Sequence, residues 1–363
     1  MKVSYIIYLF YLSLLCGISP ILAQSHTKVD KGSWIFRKYA SENQYKIDES
    51  LFKPNADHTN ILQKVINANR NVLLPNIKLN INFNGISIPN NSRIYFQPKT
   101  IMEMIPNSKG TYAIIKIYNG NNVRLYNPQL KGDRQKHTGN SGEWGMGIDI
   151  RSSQNISIVN PKITDMWGDG IYLGLINTSN INKNIIISGG IIDSSRRNGI
   201  SLTSGFEITI EDIIISNTSG TLPMAGIDVE PNKDSKTISN IKINNVKTVN
   251  NSNEGILLYL SNLRYTADGE SNITITGHTD LGSKIGLRVG PISAKRASGI
   301  ISVSNSSWSK NKEIGVKWGD IEGSLVKLNL SNSSNNGIKL QMNNFSRSLK
   351  VDKNKLGKNV SFK

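Results

Sequence analysis

Gly147-Ile148-Asp149-Ile150, Gly170-Ile171-Tyr172-Leu173, Gly199-Ile200-Ser201-Leu202 and Gly226-Ile227-Asp228-Val229 are four statements of one phrase, a glycine followed by an alternating apolar strand. The phrase continues as Gly255-Ile256-Leu257-Leu258, Gly286-Leu287-Arg288-Val289, Gly315-Val316-Lys317-Trp318 and Gly337-Ile338-Lys339-Leu340. Successive glycines are 23, 29, 27, 29, 31, 29 and 22 residues apart. Periods of this size define a solenoid, because one coil cannot bury its apolar face alone and must stack on its neighbours. A second strand, opened by asparagine, follows within the period: Asn155-Ile156-Ser157-Ile158, Asn184-Ile185-Ile186-Ile187, Asn240-Ile241-Lys242-Ile243 and Asn272-Ile273-Thr274-Ile275. Period-two alternation in short β-branched runs spells strand rather than helix. The expected architecture is all-β, a single-stranded right-handed parallel β-helix with an N-terminal capping helix.

Outward from the repeat, the stretch Asp57-His58-Thr59-Asn60-Ile61-Leu62-Gln63-Lys64-Val65-Ile66 fits the cap. Asp57 or Thr59 can cap a short helix whose apolar face is Ile61, Leu62, Val65 and Ile66. Such a cap covers the open sheet edge at the end of a solenoid. The β-helix domain is placed at 57–345, after a segment, 24–56, without clear pattern. Residues 346–363 read as a basic C-terminal cap or tail.

Lys2, the apolar run from Val3 to Leu15 and the small exit residue Ala23 describe a cleaved secretory signal peptide at 1–23, so a secreted or periplasmic location is expected. The run is too short for a membrane span. Cys16 is the only cysteine and leaves with that leader, which excludes a disulfide framework and a thiolate metal site. Lys and Arg number 43 against 26 Asp and Glu, a formal net charge of +17. Such a balance points to an acidic partner. Of the acidic partners this suggests, an anionic polysaccharide, a membrane surface or nucleic acid, the last has no zinc signature, Arg-rich helix or RNA-binding motif in its support; the partner expected is a polysaccharide, anionic in character.

The cap phrase and the two strand phrases resemble the pectate-lyase-like β-helix superfamily over nearly all of the mature chain. The runs Gly142-Glu143-Trp144-Gly145-Met146-Gly147-Ile148, Trp167-Gly168-Asp169-Gly170-Ile171 and Arg196-Arg197-Asn198-Gly199-Ile200 look like bacterial exported β-helix proteins that act on polysaccharides. The fold hosts lyases, hydrolases, epimerases and passive adhesins, so chemistry has to be argued from the site. Polygalacturonases place an aspartate just before the repeat glycine, as Asp169 is here, but their further aspartates, histidine and Arg-Ile-Lys phrase are missing. Mannuronan C5-epimerases carry Tyr-Gly-Phe-Asp-Pro-His-Glu. Asp228 matches its aspartate, whereas Ala225 replaces the tyrosine and Glu230 the histidine. The earlier pair Asp149 and Asp169 repeats that spacing, with Arg151 at the histidine place.

In a parallel β-helix equivalent residues of successive coils stack ~4.8 Å apart, so the repeat glycine acts as a ruler. One residue after it lies the core column Ile148, Ile171, Ile200, Ile227, Ile256, Leu287, Val316, Ile338. Two after it the side chains point outward: Asp149, Tyr172, Ser201, Asp228, Leu257, Arg288, Lys317. Four after it come Arg151, Gly174, Thr203, Glu230 and Tyr259, and three before it Trp144, Trp167, Arg196 and Pro223. One exposed face is thereby expected to gather Trp144 stacked on Trp167, Tyr172, the arginines 151, 196 and 197, and several carboxylates. Aromatic rings suit sugar faces, and arginine suits carboxylate or sulfate.

Two chemistries follow. For β-elimination, Arg151, Arg196 and Arg197 would clamp a uronate while Tyr172 or the loop residue His137 moves the proton. For hydrolysis, two carboxylates must flank the bond, and the candidate pairs are Asp149 with Asp169 or Asp228 with Glu230. No cofactor is expected. The histidines 58, 137 and 278 lack metal-ligand spacing. Clustered carboxylates would suit Ca2+, which the neighbouring arginines disfavour. The rival class is a non-catalytic glycan-binding or adhesin solenoid, with the same aromatics and arginines but no acid–base pair.

Overall fold

The apolar positions that alternate in the sequence are stacked in space. The computed structural model describes residues 44–176, 180–233, 237–263, 270–292, 298–318, 325–340 and 360–362; the expected leader and most of 346–363 lie outside them. Among these residues the chain builds three sheets of twelve, eleven and nine strands, visiting each in turn. One coil runs through Gln154–Val159, Lys162–Thr164 and Ile171–Gly174, and the next, Lys183–Ser188, Ile191–Asp193 and Ile200–Leu202, pairs onto it in parallel, strand for strand. The architecture is the right-handed parallel β-helix that the repeat led us to expect.

Ile148, Ile171, Ile200, Ile227, Ile256, Leu287 and Val316 are register partners in an unbroken series. Each is wholly shielded from solvent, and each contributes roughly 1.5–3 kcal/mol by burial. The glycine before each is there because the coil bends against its neighbour. A Cβ at Gly199 would sit 2.2 Å from Ile215 Cγ2 and 2.6 Å from the carbonyl oxygen of Gly226.

The series stops one phrase early. Gly337 does not continue the column: Asn336 and Gly337 both have positive φ (48° and 78°) and turn the chain back, so Ile338–Lys339 pairs antiparallel with Ser334–Asn335 in a different sheet. Asn-Gly is the favoured two-residue hairpin turn, and here it overrides the repeat.

At the other end, the helix Thr59–Ala68 forms as expected, with His58 rather than Asp57 or Thr59 at its N-cap position. Asp57 Oδ1 accepts from the Thr59 backbone N–H (2.9 Å) and hydroxyl (2.6 Å), Leu62 and Ile66 are fully buried, and Ile61 and Val65 pack on the core. The stack begins upstream of it, within 24–56. Tyr45–Lys46 pairs with Asn71–Leu73, and Ile47 and Phe52 enter the core. A strand of two residues is too short to show alternation.

Asparagine occupies the left-handed turn positions, with φ of 57° at Asn155, 52° at Asn184 and 54° at Asn240. Its amide then bonds to the coil before: Asn155 Nδ2 donates to Asn121 (2.9 Å) and Asn184 Nδ2 to Asn155 (2.7 Å). Conformation and ladder both favour this residue.

Candidate active site

The outer face of the nine-stranded sheet carries the candidate residues, and its register explains their grouping. Lys116, Asp149, Tyr172, Ser201, Asp228, Leu257, Arg288 and Lys317 form one column across successive strands. They point away from the main core, and Tyr172 belongs with Ala113 and Met146 to a small separate apolar cluster. The expected open exposure of this column is corrected: Asp149, Tyr172, Ser201, Asp228 and Leu257 are all buried. Neighbouring side chains bond across the face, and a long connection, residues 132–143, closes one side of it.

Two polar groups result. In the first, Asp149 accepts from Arg151 Nε (2.8 Å) and from the Tyr118 hydroxyl. The Arg151 guanidinium lies 4.8 Å from the Tyr172 ring centre and 5.9 Å from that of Tyr118. The Tyr172 hydroxyl is 3.3 Å from Thr203 Oγ1. Burial, and then the Asp149 charge, push the Tyr118 phenol up, so it stays a donor.

The second group is centred on Asp228. Arg197 Nη1 donates to Asp169 (3.0 Å), and Glu143 lies 4.0 Å from Arg197 Nε. The Asn198 backbone N–H also donates to Asp169 (3.0 Å), while the Asn198 side chain donates to Ser201 (3.0 Å) and to Asp228 Oδ2 (3.1 Å). One coil further, Arg288 donates to Glu254 (3.3 Å). Among the described residues, Asp228 Oδ1, Glu254 Oε2 and the Nε groups of Arg197 and Arg288 are buried without a hydrogen-bond partner.

The electrostatics single out Asp228. Burial, and then Glu230, raise its carboxyl well above the ordinary aspartate range, with Asp169 and Glu254 adding to the effect and Arg197 opposing it. Burial lifts Asp169 as well, against the pull of Arg197; Glu254 is lifted by burial and held back by Arg288. Arg197 stays a cation because Asp169, Asp228 and Glu143 surround it, although burial alone would lower it. A carboxyl whose neutral form is favoured by burial and by neighbouring carboxylates is the kind of group general acid catalysis uses.

The pairing of Asp149 with Asp169 does not form. They fall into separate groups, Asp149 held by Arg151 and Tyr118, Asp169 by Arg197. Asp228 and Glu230 do come together, two residues apart on one face, with Glu230 partly exposed.

Trp144 and Trp167 do not stack on each other. Trp144 is exposed (45 %). Trp167 has both ring faces covered, by His137 at 3.8 Å between centres and by the Arg196 guanidinium at 3.8 Å. Arg196 also donates to the Gly142 carbonyl (3.0 Å). His137, read as a loop base, has a fully buried side chain whose Nδ1 is 2.9 Å from Asp133. Asp133 additionally accepts from the Tyr112 hydroxyl and the Asn107 backbone N–H. These residues fasten the 132–143 connection to the coils on both sides. Asp133→Ala would strand the buried Tyr112 hydroxyl and His137, and is expected to cost about 1–3 kcal/mol for each orphaned group; equilibrium denaturation measures it, and Asp133→Asn should lose less.

Sequence reasoning passed over Tyr118, Tyr112, Asp133 and Glu143. Tyr118 stands in register with Arg151, but its coil has Ile114 where the repeat has glycine, so the ruler had no mark there. Among the described residues no group of three or more His, Cys, Asp or Glu is placed to hold a metal ion, and no helix is long and apolar enough to cross a membrane. A separate cleft of about 490 Å3 opens at the N-terminal cap among Glu49, Phe52, His58, Ile77 and Asn80, many coils before Asp228.

No family model matches the chain. It is 36% identical over 160 residues to the uncharacterized protein YclG of Bacillus subtilis, and 29% identical over 163 residues to the SPbeta prophage-derived uncharacterized protein YorA of the same organism. Each match takes in 40% of this chain, which spans 27% and 28% of those two relatives. Among solved structures it superposes on the A-module of the mannuronan C-5 epimerase AlgE6 of Azotobacter vinelandii (TM-score 0.58, 14% identity, 77% of this chain and 72% of that one). It also superposes on gp49, a tailspike of Acinetobacter baumannii bacteriophage Fri1 described as a capsular polysaccharide depolymerase (0.58, 14%, 89% and 61%), and on the Streptococcus pneumoniae surface adhesin PfbA (0.56, 12%, 80% and 84%). These likenesses bear on the fold alone, a right-handed parallel β-helix.

Proposed function

We propose that the protein is an exported carbohydrate-active enzyme that hydrolyses a polysaccharide lying along the outer face of the nine-stranded sheet. The observation that carries this is the Asp228–Glu230 pair. Asp228 is buried, with its carboxyl raised by desolvation and by Glu230, which suits it to protonate the leaving oxygen. Glu230, partly exposed, is the carboxylate that activates water. Glycoside hydrolysis uses two carboxyls flanking the bond, one as acid and one as base, and Glu230 directly follows the strand Ile227–Val229 that carries Asp228. Elimination is less well served, since Arg196 and Arg197 are engaged with the protein's own groups and Tyr172 covers Arg151. Export rests on the 1–23 leader, and the polysaccharide-acting and adhesin neighbours fit a glycan ligand.

Incubation of the purified mature protein with neutral and anionic polysaccharides tests the reading. New reducing ends without unsaturated-uronate absorbance are expected. Unsaturated products would make it a lyase, and retention without products a binding module.

A further inference from the structure

The interior of the solenoid changes character one coil past Asp228. Ile163, Ile192, Ile215, Thr248, Asp280 and Trp308 are register partners in one inward column, wholly apolar in its first three members and hydrogen-bonding in the rest. His278 joins the last three, and all four side chains are buried. Trp308 Nε1 donates to His278 Nδ1 (3.2 Å), and His278 Nε2 lies 2.8 Å from Thr248 Oγ1, which itself donates to Asp280 Oδ2 (2.6 Å). An indole nitrogen only donates, so Nδ1 has to be bare, and the imidazole is held neutral with its hydrogen on Nε2. A protonated ring carries hydrogens on both nitrogens; it would set one against the Trp308 N–H and bring a charge into the core. Asp280, the titratable group that faces the ring, stands behind Thr248, its oxygens taken by donors from Thr248, Ser283 and Asn311. On the elements packed around it, Glu254 is paired with Arg288, Lys247 is partly exposed, and Lys284 and Lys310 are exposed.

We infer that His278 is an acid-operated lock: uptake of one proton releases Trp308 and loosens the coils that carry Thr248, His278 and Trp308, while the isoleucine-filled coils before them stay closed. This goes beyond the hydrolase reading and does not depend on it. Burial pulls the His278 imidazole down to about 3, whereas an unfolded chain takes up that proton near 6.5. The stabilising contribution is therefore complete above about 6.5 and is lost as pH falls toward the folded value. Burial raises Asp280, against donors from Ser283, Thr248 and Asn311. Asp280 thus acts in the opposite sense, and offsets His278 only where it is itself protonated, at the acid end of the window.

Hydrogen exchange of the purified mature protein, followed from about pH 7.5 to about pH 5 and corrected for the intrinsic rate, tests the lock. Protection of the strands Ser271–Thr276, Thr279–Leu281 and Ser307–Ser309 is expected to fall below about pH 6.5, by up to about tenfold per unit, the slope of one proton. Protection of Lys183–Ser188 and Ile191–Asp193 should change little. His278→Asn keeps an oxygen acceptor toward Trp308 but cannot titrate, and should flatten the slope. In the wild type, the ring-nitrogen NMR signals of His278 should report a bare Nδ1 and a protonated Nε2 down to about pH 5. Equal pH dependence in the two sets of strands, or a slope that survives His278→Asn, would overturn the inference. So would a His278 that titrates near its ordinary value while the Trp308 indole signal stays in place, a result that decides the matter even where the variant does not fold.

Discussion

Asp228→Asn is expected to reduce kcat on a cleaved polysaccharide by about 10²–10⁴-fold, the usual contribution of a positioned general acid, while KM changes little. The same substitution should make the protein more stable. Asp228 is buried beside Glu230, Glu254 and Asp169, and only Arg197 offsets them. An amide keeps the shape and can still engage Asn198, but carries no charge to repel. The effect has a pH signature. Because the folded protein raises this carboxyl, it binds the proton more tightly than the unfolded chain does. The stabilising contribution is therefore complete below the unfolded aspartate value near 3.9 and is lost as pH rises through the folded value. The Tm of Asp228→Asn should accordingly exceed that of the wild type by a margin that widens from about pH 4 upward. A margin that shrinks over that range, or an Asn variant with full turnover, would remove Asp228 from the acid role.

Ile171→Asp should have the largest effect on stability. Ile171 is fully buried in the column between Ile148 and Ile200. The change forfeits roughly 1.5–3 kcal/mol of apolar burial and places an unpaired carboxylate between two coils, at several kcal/mol more. Against a total stability on the order of 5–15 kcal/mol, that is enough to rupture the stack at this coil. Lys317→Ser is the control. Lys317 lies on the same sheet two residues after its glycine, but its side chain is partly exposed and, among the described residues, bonds to the surface residue Glu313 at 2.8 Å. Its loss should fall within about 0.5 kcal/mol. Comparable melting shifts for the two would mean that the inward and outward columns have been misassigned.

The columns themselves were legible because a coil repeats one physical problem. The glycine has to let two coils approach, the residue after it has to be apolar, and the turn needs a left-handed residue, so the same letters return. What the sequence left hidden is what does not repeat. Asn336-Gly337 looks like another turn of the repeat, and only its hairpin geometry takes it out of the column. Trp167 reads as a sugar platform until the 132–143 connection lays His137 on one face and Arg196 takes the other. That contact joins residues 30 positions apart through a connection with no periodicity to mark it. Asp169 and Asp149 looked equivalent as outward carboxylates. Their fates diverged because Arg197 reaches back one coil to the first, while Arg151 on the same strand takes the second.

Where the Asp228 strand lies in its sheet has a consequence for how the molecule wears. Five strands of that sheet precede it and three follow among the described residues. In a one-dimensional stack each coil is held only by the two beside it, so opening begins at the tips and moves inward. Fraying at either end of the described stack therefore consumes outer coils first, and those coils act as a sacrificial sleeve on both sides of Asp228. A solenoid that has lost its outermost turns can in this way keep the Asp228 coil folded.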